Sequence, residues 1–259
     1  MDAMMLMEAS LEVAKRAGEV ASAHFGRGLV PEIKPDGSPV TLADREAEQA
    51  ARSWLAERFA GDGLFGEEFG RERSDAPRQW LIDPIDGTRS FVRGVPLWGT
   101  LIACIEHGHV VASAAVFPSA GRTMCAARAG GTFVDGVRAH VSSIPTLQAA
   151  LLVATDLGFS GDASRASRAA SLAAEVGTTR TWGDAYGYLL VASGAAEIML
   201  DGPYQPWDAA PMMLAVEEAG GVFTDWRGSL AWDGAHGGIA TNASLANTVR
   251  SHLVGRTGA

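Results

Sequence analysis

The chain has 259 residues, of which 47% are hydrophobic, so it can bury a full core in one large domain or two closely packed ones. Its formal net charge of -9 argues against nucleic acid or an anionic membrane as the main partner and suits a cation-binding site. The N-terminus lacks the pattern of a signal peptide, and no apolar run is long enough to span a bilayer, so we expect a cytoplasmic protein.

The N-terminal region predicts two helices separated by a turn-rich segment. Residues 3–24 carry apolar side chains at helical intervals, and residues 30–40 contain enough proline, with the turn Asp36-Gly37, to predict a hairpin-like loop. Thr41 then caps a second helix whose third residue is Asp44, which is a capping box with aspartate in place of glutamate. The position of Asp44 is equally compatible with that capping role alone and with a functional role.

Two short apolar runs follow, and each ends in acidic residues. The run 64–66 predicts a strand that ends at Glu67 and Glu68, and paired acids of this kind are usually solvated. The run 79–82 predicts a buried strand that runs out into a loop at Asp83.

That loop has the sequence Asp83-Pro84-Ile85-Asp86-Gly87-Thr88. Proline fixes its own φ and disfavours helix at the residue before it, so a stiff turn can aim two carboxylates and the Ile85 carbonyl at one point. Hard cations such as Mg²⁺ prefer oxygen ligands of this kind. The same residue types are common in surface turns. The apolar strand draws the motif toward the core, however, where two unpaired carboxylates are costly, and a metal ion would resolve that conflict.

The rest of the first half predicts an antiparallel meander. Runs at 95–106 and 110–117 are joined by His107-Gly108-His109, and further strands follow at 121–127 and 132–134. The two histidines are interpreted as turn residues, because no third soft ligand lies near them. Cys104 and Cys125 lie in apolar runs and are interpreted as reduced core residues.

From residue 151 onward strands and helices alternate, which favours a layered α/β second half. The predicted strands are 151–155, 178–181 and 197–200, with two more near Val222 and Ile239, and the predicted helices are 162–176, 184–193, 207–219 and 243–253. The boundary is predicted at 142–145. It divides residues 1–141, which comprise helices and one large mainly antiparallel sheet, from residues 142–259, with both parts forming one compact unit.

A second acidic centre opens the helix 207–219. Asp208 lies in its first turn, where a negative charge also favours the helix dipole without any further function. The helix ends in Glu217 and Glu218, at the end that disfavours negative charge, and both are interpreted as solvated.

Taken together, these motifs resemble the signatures of the inositol monophosphatase family. The resemblance rests on Gly66-Glu67-Glu68, Asp83-Pro84-Ile85-Asp86-Gly87-Thr88, Trp207-Asp208-Ala209 and Ala219-Gly220-Gly221, with Asp44 matching the upstream aspartate. It spans nearly the whole chain and implies a layered α-β-α-β-α sandwich of the inositol monophosphatase and sugar phosphatase type. It also implies a homodimer that hydrolyses small phosphate monoesters with Mg²⁺.

The resemblance further implies a role for each matching residue. Two or three Mg²⁺ ions, for which Mn²⁺ can substitute, would be held by these ligands: Glu67, Asp83, the Ile85 carbonyl, Asp86 and Asp208. Asp44 and Thr88, with Glu67 in a supporting role, would orient and deprotonate the attacking water. The Gly87 and Thr88 amides would bind phosphate.

Two longer stretches, 86–100 and 182–188, look like the histidinol-phosphate phosphatase branch of that family. Asp184 stands where inositol-specific members carry a small or hydroxyl residue, and Asp201 falls where the family places an acidic contact to the organic part of the substrate. Arg89 is taken as a third substrate contact. Histidinol phosphate carries an ammonium and an imidazole, so two acids suit it. The alternatives are a helix N-terminal role for Asp184 and a turn role for Asp201.

The leading functional hypothesis is therefore a histidinol-phosphate phosphatase of histidine biosynthesis. The alternatives are an inositol-1-monophosphatase, with or without broad sugar-phosphate activity, and a catalytically silent phospholigand-binding protein. Every expected catalytic carboxylate is in place, which argues against the silent protein.

Overall fold

We analysed a computed structural model, which describes residues 2–35, 37–230 and 232–254. Among these residues the helices are α1 (Ala3–Ser22), α2 (Leu42–Arg58), α3 (Thr88–Val92), α4 (Ala163–Ala173), α5 (Ala185–Ala192), α6 (Pro206–Glu218) and α7 (Ala246–Leu253). None of these helices combines the length and the apolar character needed to cross a bilayer.

The strands of the described residues form a hairpin and two larger sheets. The hairpin pairs β1 (Glu32–Ile33) with β2 (Pro39–Val40), as predicted for that loop, although Asp36 lies outside the described residues. The first sheet has the order β10-β9-β8-β7-β6-β5-β3-β4. Its strands are β3 (Gly63–Gly66), β4 (Gly70–Glu72), β5 (Arg78–Asp86), β6 (Gly99–Glu106), β7 (His109–Phe117), β8 (Arg122–Ala127), β9 (Gly131–Val134) and β10 (Val137–Ala139).

The second sheet has the order β12-β11-β13-β15-β14 and mixes parallel and antiparallel pairs. Its strands are β11 (Leu151–Ala154), β12 (Thr178–Arg180), β13 (Ile198–Asp201), β14 (Val222–Thr224) and β15 (Gly238–Thr241). The predicted alternation of strands and helices after residue 151 is confirmed element by element, with differences at the element ends. The predicted boundary at 142–145 falls between β10 and β11 and stays a prediction.

Three apolar clusters hold these elements in five layers. One cluster lies between α1 and α2 and the outer face of the first sheet. A second fills the space between the two sheets around α5 and α6, and the third packs α4 and α7 on the far face of the second sheet. The α-β-α-β-α sandwich is therefore confirmed. It forms because each sheet has apolar side chains on both faces, so a layer of other elements must pack on each face to bury them.

The central strand β5 is longer than its apolar run predicts. The expected loop at Asp83 is wrong, because pairing with β6 continues as far as Asp86. The register shifts between these two residues, so the strand contains a bulge at Pro84, which has no N–H to give to the ladder. The Pro84 carbonyl instead accepts a hydrogen bond of 2.8 Å from the Thr100 hydroxyl. The carboxylates are thus placed by a bulged strand end and not by a free turn.

The four predicted strands of the meander form, with differences at their ends, whereas β4 and β10 were not predicted. β6 and β7 are joined at His107 and Gly108, both with positive φ, so the turn role of His107 is confirmed, but that of His109 is wrong because it is the first residue of β7 and pairs with Glu106. Cys104 and Cys125 are free and buried, as predicted. The solvated role of Glu217 and Glu218 is wrong, because they bind the β8–β9 turn. The Arg128 guanidinium lies 2.8 Å from Glu217, and the Glu218 carboxylate accepts the amides of two turn residues.

Candidate active site

The Asp83, Asp86 and Asp208 carboxylates converge at one point between the two sheets. Each offers an oxygen, and these oxygens all lie within 4.8 Å of one another. The first two come from the bulged end of β5, and Asp208 comes from the first turn of α6, where Pro206 is the first residue. Asp208 also accepts the Gln205 amide at 2.9 Å, so the predicted helix-start role and the clustering are both present.

Burial makes this cluster electrostatically unfavourable unless a cation joins it. Burial raises the pKa of Asp83 well above its usual range, and the neighbouring Glu67 and Asp208 charges add to the shift. Burial likewise raises the pKa of Asp86 well above its usual range and that of Asp208 to about 6. All the ligand atoms of this cluster are carboxylate oxygens, which suit a hard divalent cation. Such a cation would stabilise the charged forms of the carboxylates.

Glu67 reaches the cluster through the parallel pairing of β3 with β5, in which Gly66 is opposite Ile82. Because parallel strands end at the same edge, Glu67 and Asp83 emerge side by side, and the Glu67 amide donates to the Ile82 carbonyl at 3.2 Å. The expectation that Glu67 and Glu68 are solvated is wrong, since their side chains are only 20% and 6% exposed.

Sequence reasoning missed Lys34, which lies between β1 and β2 and pairs with both glutamates. Its ammonium lies 2.7 Å from Glu67 and 2.6 Å from Glu68. Burial raises the pKa of Glu67 to about 7, although Lys34 opposes the shift. The chain has two lysines, Lys15 and Lys34. This scarcity is the one sequence feature that singles out Lys34, and it does not indicate a role for the residue.

Asp44 and Thr88 meet at the same edge of the cleft. One Asp44 oxygen accepts the Thr41 amide and hydroxyl, both at 2.7 Å, and so forms the predicted capping box. The other oxygen lies 3.5 Å from the Thr88 hydroxyl, which donates to the Ile85 carbonyl at 2.9 Å. The capping role therefore leaves one oxygen of Asp44 directed at Thr88, and burial raises the pKa of this carboxyl.

Gly87 precedes α3 and has a φ of 77°, a conformation that favours glycine. A Cβ at this position would stand 3.0 Å from the Leu97 carbonyl and 3.2 Å from the Asp184 carboxylate. Close packing therefore favours glycine here in addition to the backbone conformation. The next residues are Thr88 and the exposed Arg89, whose guanidinium donates to the Gly37 carbonyl at 3.4 Å. This segment lines the cleft with backbone and a positive charge.

Asp184 and Asp201 lie in a pocket next to the acidic cluster. Asp184 stands at the N-terminus of α5, as its alternative role predicts, but it has a φ of 51° and a ψ of -158° and its side chain accepts no capping hydrogen bond. Its amide donates to the Thr155 hydroxyl at 2.8 Å, and Thr155 lines the same pocket as Asp184 and Asp201. Asp201 accepts the adjacent Gly202 amide at 3.0 Å, as its turn role predicts. Sequence reasoning missed Thr155, because nothing marks a lone threonine at a strand end.

Burial raises the pKa of both carboxyls, to about 6 at Asp184 and well above the usual range at Asp201. The cleft that holds the predicted metal and phosphate residues has a volume of about 730 Å³. An adjoining pocket of about 200 Å³ is lined by Asp184 and Asp201 together with the aromatic rings of Phe159, Tyr188 and Tyr204. The arrangement therefore joins the Gly87 segment and an acidic cluster to an acidic and aromatic pocket.

Comparison with known proteins supports this geometry. The model of the inositol monophosphatase family matches residues 2–255. The chain is 40% identical over 240 residues to a histidinol-phosphatase of Chlorobaculum parvum, which covers 92% of this chain and 93% of that protein. It is also 40% identical over 252 residues to a histidinol-phosphatase of Mycobacterium tuberculosis, covering 94% of this chain and 96% of that one.

Solved structures show the same layered fold. The extragenic suppressor protein suhB from Bartonella henselae superposes with a TM-score of 0.91 at 26% identity, covering 98% of this chain and 100% of that one. An inositol monophosphatase from Zymomonas mobilis superposes with a TM-score of 0.85 at 31% identity, covering 95% and 96% of the two chains.

Proposed function

The chain belongs to the inositol monophosphatase family, and we propose that it is a Mg²⁺-dependent phosphatase that hydrolyses L-histidinol phosphate to L-histidinol and phosphate in histidine biosynthesis. The observation that carries the proposal is the pair of half-buried acids, Asp184 and Asp201, beside the acidic cluster and the Gly87 segment. The two histidinol-phosphatases that are 40% identical to the chain support the same substrate.

The metal ligands in this proposal are Glu67, Asp83, the Ile85 carbonyl, Asp86 and Asp208. Two or three Mg²⁺ ions, or Mn²⁺ in their place, would neutralise phosphate charge and lower the pKa of water there, which the slow hydrolysis of phosphate monoesters requires. The chain's own contribution is to hold these oxygens close together at high electrostatic cost, so that cation binding is favourable.

Asp44 and Thr88 are proposed to hold the attacking water and to accept its proton. The support is the 3.5 Å separation of the Asp44 oxygen from the hydroxyl of Thr88, which lines the cleft. The capping box fixes Asp44 on a rigid helix end, so its free oxygen needs little further ordering.

Phosphate is proposed to bind the Gly87 and Thr88 amides at the start of α3. The close approach of Gly87 to Leu97 and Asp184 fixes this backbone, and no side chain caps it. Arg89 has the charge to pair with phosphate and not with a cationic alcohol, so we assign its predicted substrate contact to the phosphate side.

The organic part of the substrate is proposed to enter the pocket of Asp184 and Asp201. Two acids beside a site for a dianion oppose binding by charge repulsion, so they need a cationic partner. The histidinol ammonium and imidazole supply one, and they would stabilise the charged form of carboxyls whose pKa burial has raised. Inositol offers only neutral hydroxyls.

An inositol-1-monophosphatase, or a broad-specificity sugar-phosphate phosphatase, is the alternative. It is favoured by the 31% identity and the TM-score of 0.85 to the Zymomonas mobilis inositol monophosphatase. The acidic pocket argues against it, because neutral polyols do not compensate buried carboxylates.

The deciding experiment is a substrate panel for the purified protein with Mg²⁺. The panel compares kcat/KM for histidinol phosphate, inositol 1-phosphate and glycerol phosphate. Histidinol phosphate is expected to be hydrolysed with the highest kcat/KM, and a preference for inositol phosphate would refute the assignment. Asp201→Asn should reduce kcat/KM for histidinol phosphate by about tenfold to a hundredfold relative to glycerol phosphate, because a charge-assisted hydrogen bond is lost.

The proposal includes a cytoplasmic homodimer, as the family resemblance implies. Two free buried cysteines support a reducing compartment. Sedimentation analysis of the purified protein tests the dimer, and a single species at the mass of one chain would contradict it.

A further inference from the structure

Glu48 is a buried carboxylate that the proposed chemistry does not use. It lies on α2 one turn after Asp44, with 0% of its side chain exposed. A charge in such a place is costly unless it is fully hydrogen-bonded, so its partners show what it is for.

Those partners are backbone amides of the segment between β3 and β4. The Glu68 amide donates to one Glu48 oxygen at 2.6 Å, and the Phe69 amide donates to the other at 3.2 Å. Any side chain at Gly66 would overlap the same carboxylate, so Glu48 packs directly against the end of β3. Glu48 thus binds the two backbone amides after Glu67 and packs against the glycine before it.

Arg52 completes the network from the next turn of α2. Its guanidinium donates to Glu48 at 2.7 Å, to Glu72 at 2.8 Å and to the Gly70 carbonyl at 2.5 Å. One charge pair therefore joins α2 to the whole turn between β3 and β4, and both members are at most 5% exposed. Charge-assisted bonds to a rigid helix hold a turn more firmly than solvent-exposed contacts would.

The consequence is that the backbone of Glu67 has little freedom. Its own amide is bound to the Ile82 carbonyl, and the amide that follows it is bound to Glu48. The Glu67 side chain then projects into the cleft that Asp83 and Asp208 line.

We propose that Glu48 is a positioning residue, which fixes the Glu67–Glu68 turn so that the Glu67 carboxylate faces Asp83 and Asp208 for binding of a divalent cation. This inference rests on the metal dependence in the proposed function. In the competing interpretation Glu48 only supports β4. That interpretation predicts that its substitution lowers stability and leaves metal affinity unchanged.

The test is Glu48→Gln, with Mg²⁺ binding measured by calorimetry on the metal-free protein. Glutamine keeps one acceptor but turns an amide N–H₂ toward a backbone N–H, so the turn loses part of its anchor. The dissociation constant for Mg²⁺ should rise about 10- to 100-fold, which is the range for losing a residue that orients a metal ligand. Phosphate release should show the same rise in the Mg²⁺ requirement, with kcat recovering at high Mg²⁺.

Glu197→Gln is the matched control. Glu197 is 3% exposed and accepts the Leu151 amide at 2.7 Å, so it is a comparable buried anchor, but it lies at the second sheet. Its loss should lower the melting temperature without changing Mg²⁺ affinity. Unchanged affinity in Glu48→Gln, or an equal weakening in Glu197→Gln, would overturn the proposal.

Glu48→Asp covers the case in which Glu48→Gln does not fold, because it keeps the negative charge but shortens the side chain and so withdraws the carboxylate from the Glu68 and Phe69 amides. Weaker Mg²⁺ binding in this variant supports the proposal, and wild-type affinity overturns it. If the wild type binds Mg²⁺ in the manner expected but releases no phosphate from any monoester, the proposed function fails while the positioning role stands.

Discussion

At the scale of single residues, the acids of the cleft combine a local structural role with a place in the site. Asp44 and Asp208 both stand at the third position of a helix, and each uses one carboxylate oxygen for a capping box. A carboxylate has a second oxygen, which lies near the Thr88 hydroxyl in the case of Asp44, and Asp208 itself lines the cleft. Capping therefore does not compete with function here. It orients the side chain that function would use.

Asp83→Asn should abolish most phosphatase activity while it stabilises the metal-free protein. An amide supplies less charge to Mg²⁺, so we expect a loss on the order of 10²–10³ in kcat, as for other electrostatic groups of active sites. In the absence of metal the substitution removes a buried carboxyl beside Glu67 and Asp208, whose charges repel it. Phosphate release and urea denaturation in a chelator measure the two effects.

Asp225→Asn is the control for that prediction. Asp225 is 3% exposed, and one of its oxygens accepts the Arg227 and Ser229 amides, each at 2.8 Å, so it is a buried, hydrogen-bonded acid outside the cluster. Its substitution should destabilise the protein by about 1–3 kcal/mol and leave activity intact. Near-normal activity of Asp83→Asn at modest Mg²⁺ would contradict the metal role of Asp83.

Asp184→Gly should be more stable than Asp184→Asn. Both substitutions remove the charge, but only glycine relieves the backbone at φ 51° and ψ -158°, a conformation that costs other residues about 1–3 kcal/mol. Urea denaturation of the two variants in chelator measures the difference. An asparagine variant as stable as the glycine variant would mean that no strain is stored at this position.

At the scale of elements, the site lies where three chain segments meet, and each segment contributes at least one carboxylate. Parallel pairing of β3 with β5 aligns Glu67 and Asp83, the bulge in β5 adds Asp86, and the N-terminal turn of α6 adds Asp208. The edge-to-face contact of Phe65 with Trp207, at 5.0 Å between ring centroids, packs β3 against α6 next to these acids. Rigid element ends hold the carboxylates together despite their repulsion.

Asp44→Asn and Thr88→Ala should have non-additive effects on kcat, because α2 and the β5–α3 segment are proposed to hold a single water. Residues that act as a unit lose their common effect once. A double-mutant cycle on kcat measures this coupling, and fully additive losses would indicate separate roles.

Thr41→Ala is the control for that cycle. It removes the capping hydroxyl but leaves the Asp44 oxygen that faces Thr88, so it should lower stability by about 1 kcal/mol and largely spare kcat. A large loss of kcat in Thr41→Ala would show that helix capping, and not the facing oxygen, is what matters.

At the scale of the whole molecule, the five layers bury the site between two sheets, and burial sets the dependence of stability on pH. In the metal-free protein burial raises the pKa of Glu67 from 4.5 to about 7, and those of Asp184 and Asp208 from 3.8 to about 6. The folded chain therefore holds protons that the unfolded chain releases. This contribution to stability is fully present below about pH 4 and is lost as the pH rises through 6 to 7.

The free energy of unfolding in chelator should therefore fall between pH 5 and pH 8. Mg²⁺ should reverse much of this decline, since it binds the deprotonated carboxylates of the folded state. Urea denaturation at each pH measures the profile, and Glu67→Gln should flatten its upper part. A flat or rising profile without metal would show that the cluster is not held in its protonated form.

The amino-acid sequence by itself determined the elements and most of the site's residue types. Hydrophobic periodicity predicted most of the helices and strands, because side-chain burial follows the repeat of the local structure. The short elements α3, β4 and β10 were not predicted. The Thr41–Asp44 capping box was predicted because its geometry depends on four consecutive residues only. The family resemblance named the acids that the fold then brought together.

Only the tertiary structure decided which distant groups meet. Three contacts each join different elements: the pairing of Lys34 with Glu67, the anchoring of the β3–β4 turn by Glu48, and the hydrogen bond from the Asp184 amide to Thr155. The bulge that extends β5 to Asp86 likewise depends on pairing with β6. A local sequence pattern reflects which side chains of one segment are buried. These contacts, and the pKa shifts that burial causes, arise only when distant segments pack together in the layers.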